Sequence, residues 1–269
     1  MLPEEGRVHA SHVNCSTMRG SALFSYIHAA QGETPYGRVL DAGTGTRSMR
    51  WLMTLDTDSI TAVTVAPALA AQVQRLVGER QRPQDRLLVG NWTDPALLAG
   101  EQFDTVLADY LLGSIEGFAP FFQAALIGRL RALTARRLYI TGMEPYVIER
   151  PGDEAGALIW EIGRYHDACL LLSGEQPYRE YPLDWVVAEL RRSGFQPLAA
   201  GKFPKGYKAE FVNSHIDKCR PHLERLADQA LGQSLIAFGE ALRSRGLAFI
   251  DSHGSLSHGF AYVVAAEPV

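Results

Sequence analysis

Between residue 38 and about residue 145, short apolar β-branched runs alternate with stretches of helical period. That alternation predicts a parallel sheet whose strands are joined by crossover helices. The expected strands are Arg38–Asp41, Ile60–Val65, Arg86–Val89, Thr105–Ala108 and Arg137–Thr141. Helical patterns fall at Ser48–Leu55, Pro67–Arg80, a short Asp94–Ala99 and Phe118–Thr134. Pro67 stands where a first-turn proline belongs, because its missing N–H would have had no partner there. Ahead of this region, Thr17–Gln31 puts Leu23, Tyr26, Ile27 and Ala30 on one side of an amphipathic helix.

Beyond residue 145 the pattern changes. Asp153–Ser173 spaces Leu158, Ile162, Tyr165, Cys169 and Leu172 by fours and threes, which is one buried helical stripe. Leu183–Ser193 reads as a further helix closed by Gly194. Pro197–Gly201 suits a strand, Phe211–Leu247 a long helical region interrupted at Pro221, and Ala261–Ala266 a final strand. The helical stretch before that strand exceeds what a minimal doubly wound domain needs, so it reads as a cap or a dimerisation element. The expected organisation is an N-terminal helical lid (1–36), an α/β core (37–150), a cap helix with the remainder of the core (151–210), a helical insertion (211–250) and the last strand (251–269).

Composition narrows the class. With 46% hydrophobic and 21% charged residues in 269, the chain is globular and long enough to bury a core without staples. A net charge of −4 supplies no basic field for tracking phosphates, so nucleic acid is not an expected partner. Cys15, Cys169 and Cys219 are odd in number and widely spaced, as reduced thiols would be. Residues 1–20 hold Glu4, Glu5, His9 and His12 with no apolar core segment, and no run approaches the roughly eighteen apolar residues of a membrane span. The expectation is a cytoplasmic chain with no membrane segment.

The chemistry concentrates in Val39–Thr46, VLDAGTGT, where an apolar strand runs into Asp41 and a turn built on Gly43 and Gly45 opens a helix. Glycines let a ligand approach the backbone, and the helix start offers free N–H groups. A dinucleotide fingerprint would place a third glycine at position 48, but that residue is Ser48. The segment resembles instead the first motif of the class I S-adenosylmethionine-dependent methyltransferases. Two more segments resemble that family at its spacing: GNWTDP (90–95) and FDTVLADYLL (103–112).

The resemblance implies an α/β fold, a doubly wound, Rossmann-like three-layer sandwich with a helical insertion or cap, and S-adenosylmethionine as cofactor. It assigns the methionine end of the cofactor to Asp41, Gly43, Thr44 and Gly45, the adenine to Asn91 and Trp92, and the cleft beside it to Asp109 and Tyr110. The family commonly ends its second strand in an acid that holds the ribose hydroxyls. Here Thr64 stands there, able to hydrogen-bond a hydroxyl but not to make the stronger charge-assisted contact.

Acceptor chemistry has fewer candidates. Methyl transfer asks the protein to position a nucleophile and, where needed, take its proton. Asp109, Tyr110 and Glu144 are the expected catalytic positions, all following strands at the ligand-binding edge. Glu116 either pairs with Asp109 or caps the next helix. Glu161 and Arg164, beside Tyr165, form either a solvated pair or a substrate contact. His215, Cys219 and His222 share a helical face and read as packing rather than a metal site. His9, His12 and His28, or His253 and His258, could supply a base. The reading is an S-adenosylmethionine-dependent methyltransferase acting on nitrogen or oxygen of a small molecule. The alternatives are a protein or peptide N-methyltransferase and a noncatalytic cofactor-binding scaffold.

Overall fold

The computed structural model describes residues 21–269. His9, His12, Cys15 and the start of the Thr17–Gln31 helix lie outside them. The chain divides into two compact units. Among the described residues, the first comprises 21–143, Glu180–Phe203 and Tyr262–Val269; the second comprises Glu144–Arg179 and Pro204–Ala261.

In the first unit, α1 (Ala22–Gln31) precedes β1 (Arg38–Asp41), α2 (Thr46–Leu52), β2 (Ser59–Thr64), α3 (Pro67–Val77), β3 (Arg86–Val89) and β4 (Phe103–Asp109). The one-turn α4 (Leu111–Ser114), α5 (Gln123–Leu133) and β5 (Thr134–Met143) follow, and α7 (Leu183–Arg192) returns to this unit later in the chain. Strands β6 (Phe195–Tyr207) and β7 (Leu256–Pro268) complete a seven-stranded sheet of order β3-β2-β1-β4-β5-β7-β6. The pairs β1–β2, β2–β3, β1–β4 and β4–β5 are parallel. Val39 and Leu40 are fully buried, as a central strand covered on both faces requires. The core gathers Leu40, Val63, Val106, Leu138, Ile140 and Val264. Strand order reverses at β1, with β2 on one side and β4 on the other, and such a switch point opens a crevice at the strands' carboxyl ends.

The expected strands all form, with ends moved by a few residues. Three helical expectations need correction. Asp94–Ala99 is a series of turns: Leu98 takes a left-handed φ of 58°, and Arg129 holds the loop through the carbonyls of Trp92, Asp94 and Leu97. The helix expected from Phe118 starts only at Gln123, because Pro120 disfavours helical backbone at Ala119 and Phe121 is left-handed. Pro221 does not interrupt its helix; it sits in the last turn of α8 (Ala209–Leu223), and the break falls between Leu223 and the start of α9 (Gln229–His253). Gly194, at φ 81°, follows α7 as expected.

The second unit holds α6 (Glu154–Leu172), α8 and α9. Asp153 caps α6 by accepting from Gly156 N, and Leu158, Ile162, Tyr165 and Cys169 are buried along it, whereas Leu172 is exposed. Glycines set the close crossings: a Cβ on Gly239 of α9 would collide with the Tyr165 hydroxyl, and one on Gly246 would press on Val212. No helix among the described residues is long and apolar enough to cross a membrane.

Candidate functional site

Asp41 ends β1 and Asp109 ends β4, on the two sides of the switch point. The turn between β1 and α2 is tied to its neighbours by backbone bonds: Ala42 N donates to Leu107 O and Thr44 N to Val63 O, both at 2.8 Å. Gly43 faces Leu111, 2.9 Å from where a Cβ would stand, so its small size serves packing. Gly45 differs, since a Cβ there meets nothing within 4 Å. The backbone at Gly45 therefore fronts open space, the approach a ligand needs.

Asp41 is fully buried. Ser48 Oγ donates to its Oδ2 at 2.7 Å and accepts from Gly45 N at 3.1 Å. The residue standing at the third-glycine position is thus the brace that joins carboxylate, turn and helix. Burial pushes the Asp41 carboxyl up to about 7 from its ordinary 3.8; Ser48, Thr44 and the Gly43 backbone oppose the rise, while the charge of Asp109 adds to it. Thr44 and Gly43 lie near enough to act on that carboxyl, yet Oδ1 of Asp41 and Oγ1 of Thr44 are both buried with no hydrogen-bond partner. An unsatisfied buried carboxylate oxygen is costly, of order 1–3 kcal/mol or more, and a cationic donor would relieve it.

Across the crevice, Asp109 Oδ1 accepts from Thr141 Oγ1 at 2.6 Å and from Arg47 Nη2 at 3.1 Å. Tyr110 follows with a left-handed φ of 52°, a strained conformation for a bulky residue, held by its N–H donating to Thr141. Burial raises its phenol above the ordinary value of 10, with Arg47 opposing and Asp109 and Glu180 reinforcing. The Tyr110 phenol is therefore neutral at physiological pH, a donor rather than a base. Glu180 closes this side, its Oε2 lying 2.7 Å from the Cβ position of Gly113 in α4.

Thr64 is buried at the end of β2, its hydroxyl accepting from Ala66 N at 3.3 Å. Asn91 braces its own turn through Thr93 N at 3.1 Å and reaches Phe118 O at 3.4 Å. Trp92, next to it in the chain, packs inward. Its ring is buried, Arg129 lies over it with the guanidinium carbon 5.6 Å from the ring centre, and its indole N–H donates to Ala42 O at 2.7 Å. It is a strut beneath the glycine turn. Glu116 is buried and accepts from Phe121 N and from Gln123 Nε2 at 3.1 and 2.7 Å, which ties down the segment before α5 without capping the helix's own N–H groups.

Arg47, Ser48, Thr141 and Glu180 were not among the sequence candidates. Ser48 carried a faint signal as the residue replacing a glycine; Glu180 carried none, since it lies 71 positions after Asp109 in the chain. Glu144 belongs to the second unit, where its N–H donates to Phe260 O at 3.1 Å. Glu161 pairs with Arg245 and Arg150 at 2.7 and 3.4 Å rather than with Arg164, which lies over Trp160. His215 Nδ1 contacts Phe211 O at 2.8 Å and His222 pairs with Glu175 at 3.2 Å. No group of three or more His, Cys, Asp or Glu among the described residues is placed to hold a metal ion. His28 contacts the Tyr36 hydroxyl, His253 the Phe249 carbonyl, and His258 lies 3.9 Å from Asp153.

No protein-family model matches the chain, and no curated protein matches its sequence. Solved structures do resemble it. A Bacillus halodurans protein given as a candidate methyltransferase is 13% identical over 93% of this chain and 100% of its own, with a TM-score of 0.58. An S-adenosylmethionine-dependent methyltransferase from Geobacter sulfurreducens, solved with S-adenosylhomocysteine, is 16% identical over 91% and 90%, with a TM-score of 0.50. The [4+2]-cyclase SpnF is 17% identical over 91% and 79%, also at 0.50. The strand order, the switch point between Asp41 and Asp109 and these likenesses agree: the chain has the class I S-adenosylmethionine-dependent methyltransferase fold.

Proposed function

We propose that this chain transfers the methyl group of S-adenosylmethionine to a nitrogen or oxygen of a small-molecule acceptor. The observation that carries the reading is the glycine turn after β1, whose backbone fronts open space at Gly45 beside the buried carboxyl of Asp41. An α-ammonium group is the cation that a buried carboxyl at such a turn favours. Asp41, Thr44 and the backbone of Gly43 and Gly45 would hold the amino-acid end of the cofactor. Thr64, which retains its own hydroxyl proton to give, would serve the ribose, and Asn91 the adenine, with Trp92 supporting the turn from below. The cofactor supplies an electrophilic methyl on a sulfonium.

Asp109, Tyr110 and Glu180 would serve the acceptor. Two carboxylates around a neutral phenol favour a basic nitrogen, drawn in as its cation; it would pass one proton to Asp109 or Glu180, and the lone pair so exposed would take the methyl as the sulfonium leaves as a neutral thioether. The net charge of −4 supports a small acceptor over a polyanion. The test is incubation with methyl-labelled S-adenosylmethionine and fractions of small amines and alcohols. Label in a small molecule supports the reading. Label confined to protein or peptide favours the alternative acceptor, and cofactor binding without any transfer favours a scaffold.

A further inference from the structure

Arg47, in the first turn of α2, is the cation of this cluster. Its side chain is 47% exposed, while that of its partner Asp109 is 8% exposed. Its guanidinium carbon stands 4.8 Å from the centre of the Phe24 ring and 5.2 Å from that of Tyr110. Two rings on two other elements thus fix where the guanidinium lies but not which anion it serves. A half-exposed ion pair of this kind is weak. Asp109 does not depend on it, because Thr141 holds the same oxygen at 2.6 Å.

The charges around it indicate what the pair is for. Asp41, Asp109 and Glu180 all border the turn or the Tyr110 side of the crevice, and Asp41 already feels Asp109. A ligand with an amino-acid end brings an ammonium, which Asp41 suits, and a carboxylate, which these acids repel. We propose that Arg47 gives up Asp109 to pair with that carboxylate, so that Asp109 is freed for a cationic acceptor only once the cofactor is seated. The proposal rests on the cofactor reading above. It makes Arg47 both a cofactor ligand and the element that imposes an order of binding, with Phe24 and Tyr110 guiding the change of partner.

The experiment is calorimetric titration of the wild-type chain and of Arg47→Gln with two probes. S-adenosylhomocysteine carries the amino-acid carboxylate; 5′-methylthioadenosine keeps the adenosine and thioether and lacks it. The expected result is a loss of roughly ten- to hundredfold in S-adenosylhomocysteine affinity, the scale of a hydrogen bond to a charged group, with methylthioadenosine affinity unchanged within about twofold. Arg47→Lys should recover part of the loss, and thermal melting should show Arg47→Gln folded. Equal losses for both probes would make Arg47 structural and overturn the proposal, as would no loss for either. If the wild-type chain itself binds neither probe, the cofactor reading fails first, which is a distinct outcome.

Discussion

At the scale of single residues, the buried carboxyl of Asp41 makes the sharpest demands. Its folded value near 7 lies above the ordinary 3.8, so between about pH 4 and 7 the native chain keeps a proton that the unfolded chain has lost. The stability tied to this proton is fully present below pH 4 and lost as pH rises through 7. Asp41→Asn should therefore flatten the decline of melting temperature across that window, read by thermal denaturation at several pH values. A cationic ligand favours the ionised carboxylate, so cofactor binding at pH 7 should release protons and binding at pH 9 should not. Calorimetry in two buffers of different ionisation enthalpy measures this, and Asp41→Asn should abolish the release. Asp41, Gly43 and Gly45 were legible from VLDAGTGT because turn chemistry is local. The brace from Ser48 was not, because a serine in place of a glycine reads as a lost motif until its hydroxyl is seen on Asp41 at 2.7 Å. Arg47 and Glu180 act across the crevice, from elements that spacing along the chain cannot bring together.

At the scale of elements, two contacts set the positions of whole segments. Trp92 joins the loop after β3 to the glycine turn through Ala42 O. Trp92→Phe should cost about 1–2 kcal/mol, the loss of a buried hydrogen bond, and loosen the turn with it. Denaturant unfolding checks the cost, and unchanged stability would reduce Trp92 to a space-filling role. In the second unit, Gly239 admits the Tyr165 hydroxyl against α9, so Gly239→Ala should destabilise by about 1–3 kcal/mol through overpacking. The buried stripe of α6 was legible because its apolar spacing is regular and Asp153 caps it. Helix starts governed by one proline were harder to place: Pro120 delays α5, yet Pro221 is absorbed in the final turn of α8, where the helix ends two residues later and a local distortion displaces little of it. The same residue type had opposite consequences because of its distance from a helix end.

At the scale of the molecule, the alternation of β-branched runs and helical periods was enough to anticipate a doubly wound sheet, since parallel strands need crossover helices. The partition into two units was not visible, because β6 and β7 run from one into the other without a linker. The fold does not choose the reaction: a methyltransferase and a [4+2]-cyclase both share it with this chain. The case for methyl transfer therefore rests on the glycine turn, and Gly45 isolates it, because a Cβ there meets no protein atom within 4 Å. The most direct measurement is titration of S-adenosylhomocysteine into the wild-type chain and into Gly45→Val, with melting temperatures of both. The account predicts saturable binding by the wild type and at least a tenfold loss in Gly45→Val at a closely similar melting temperature. Failure of the wild type to bind, or undiminished binding by a folded Gly45→Val, would contradict it.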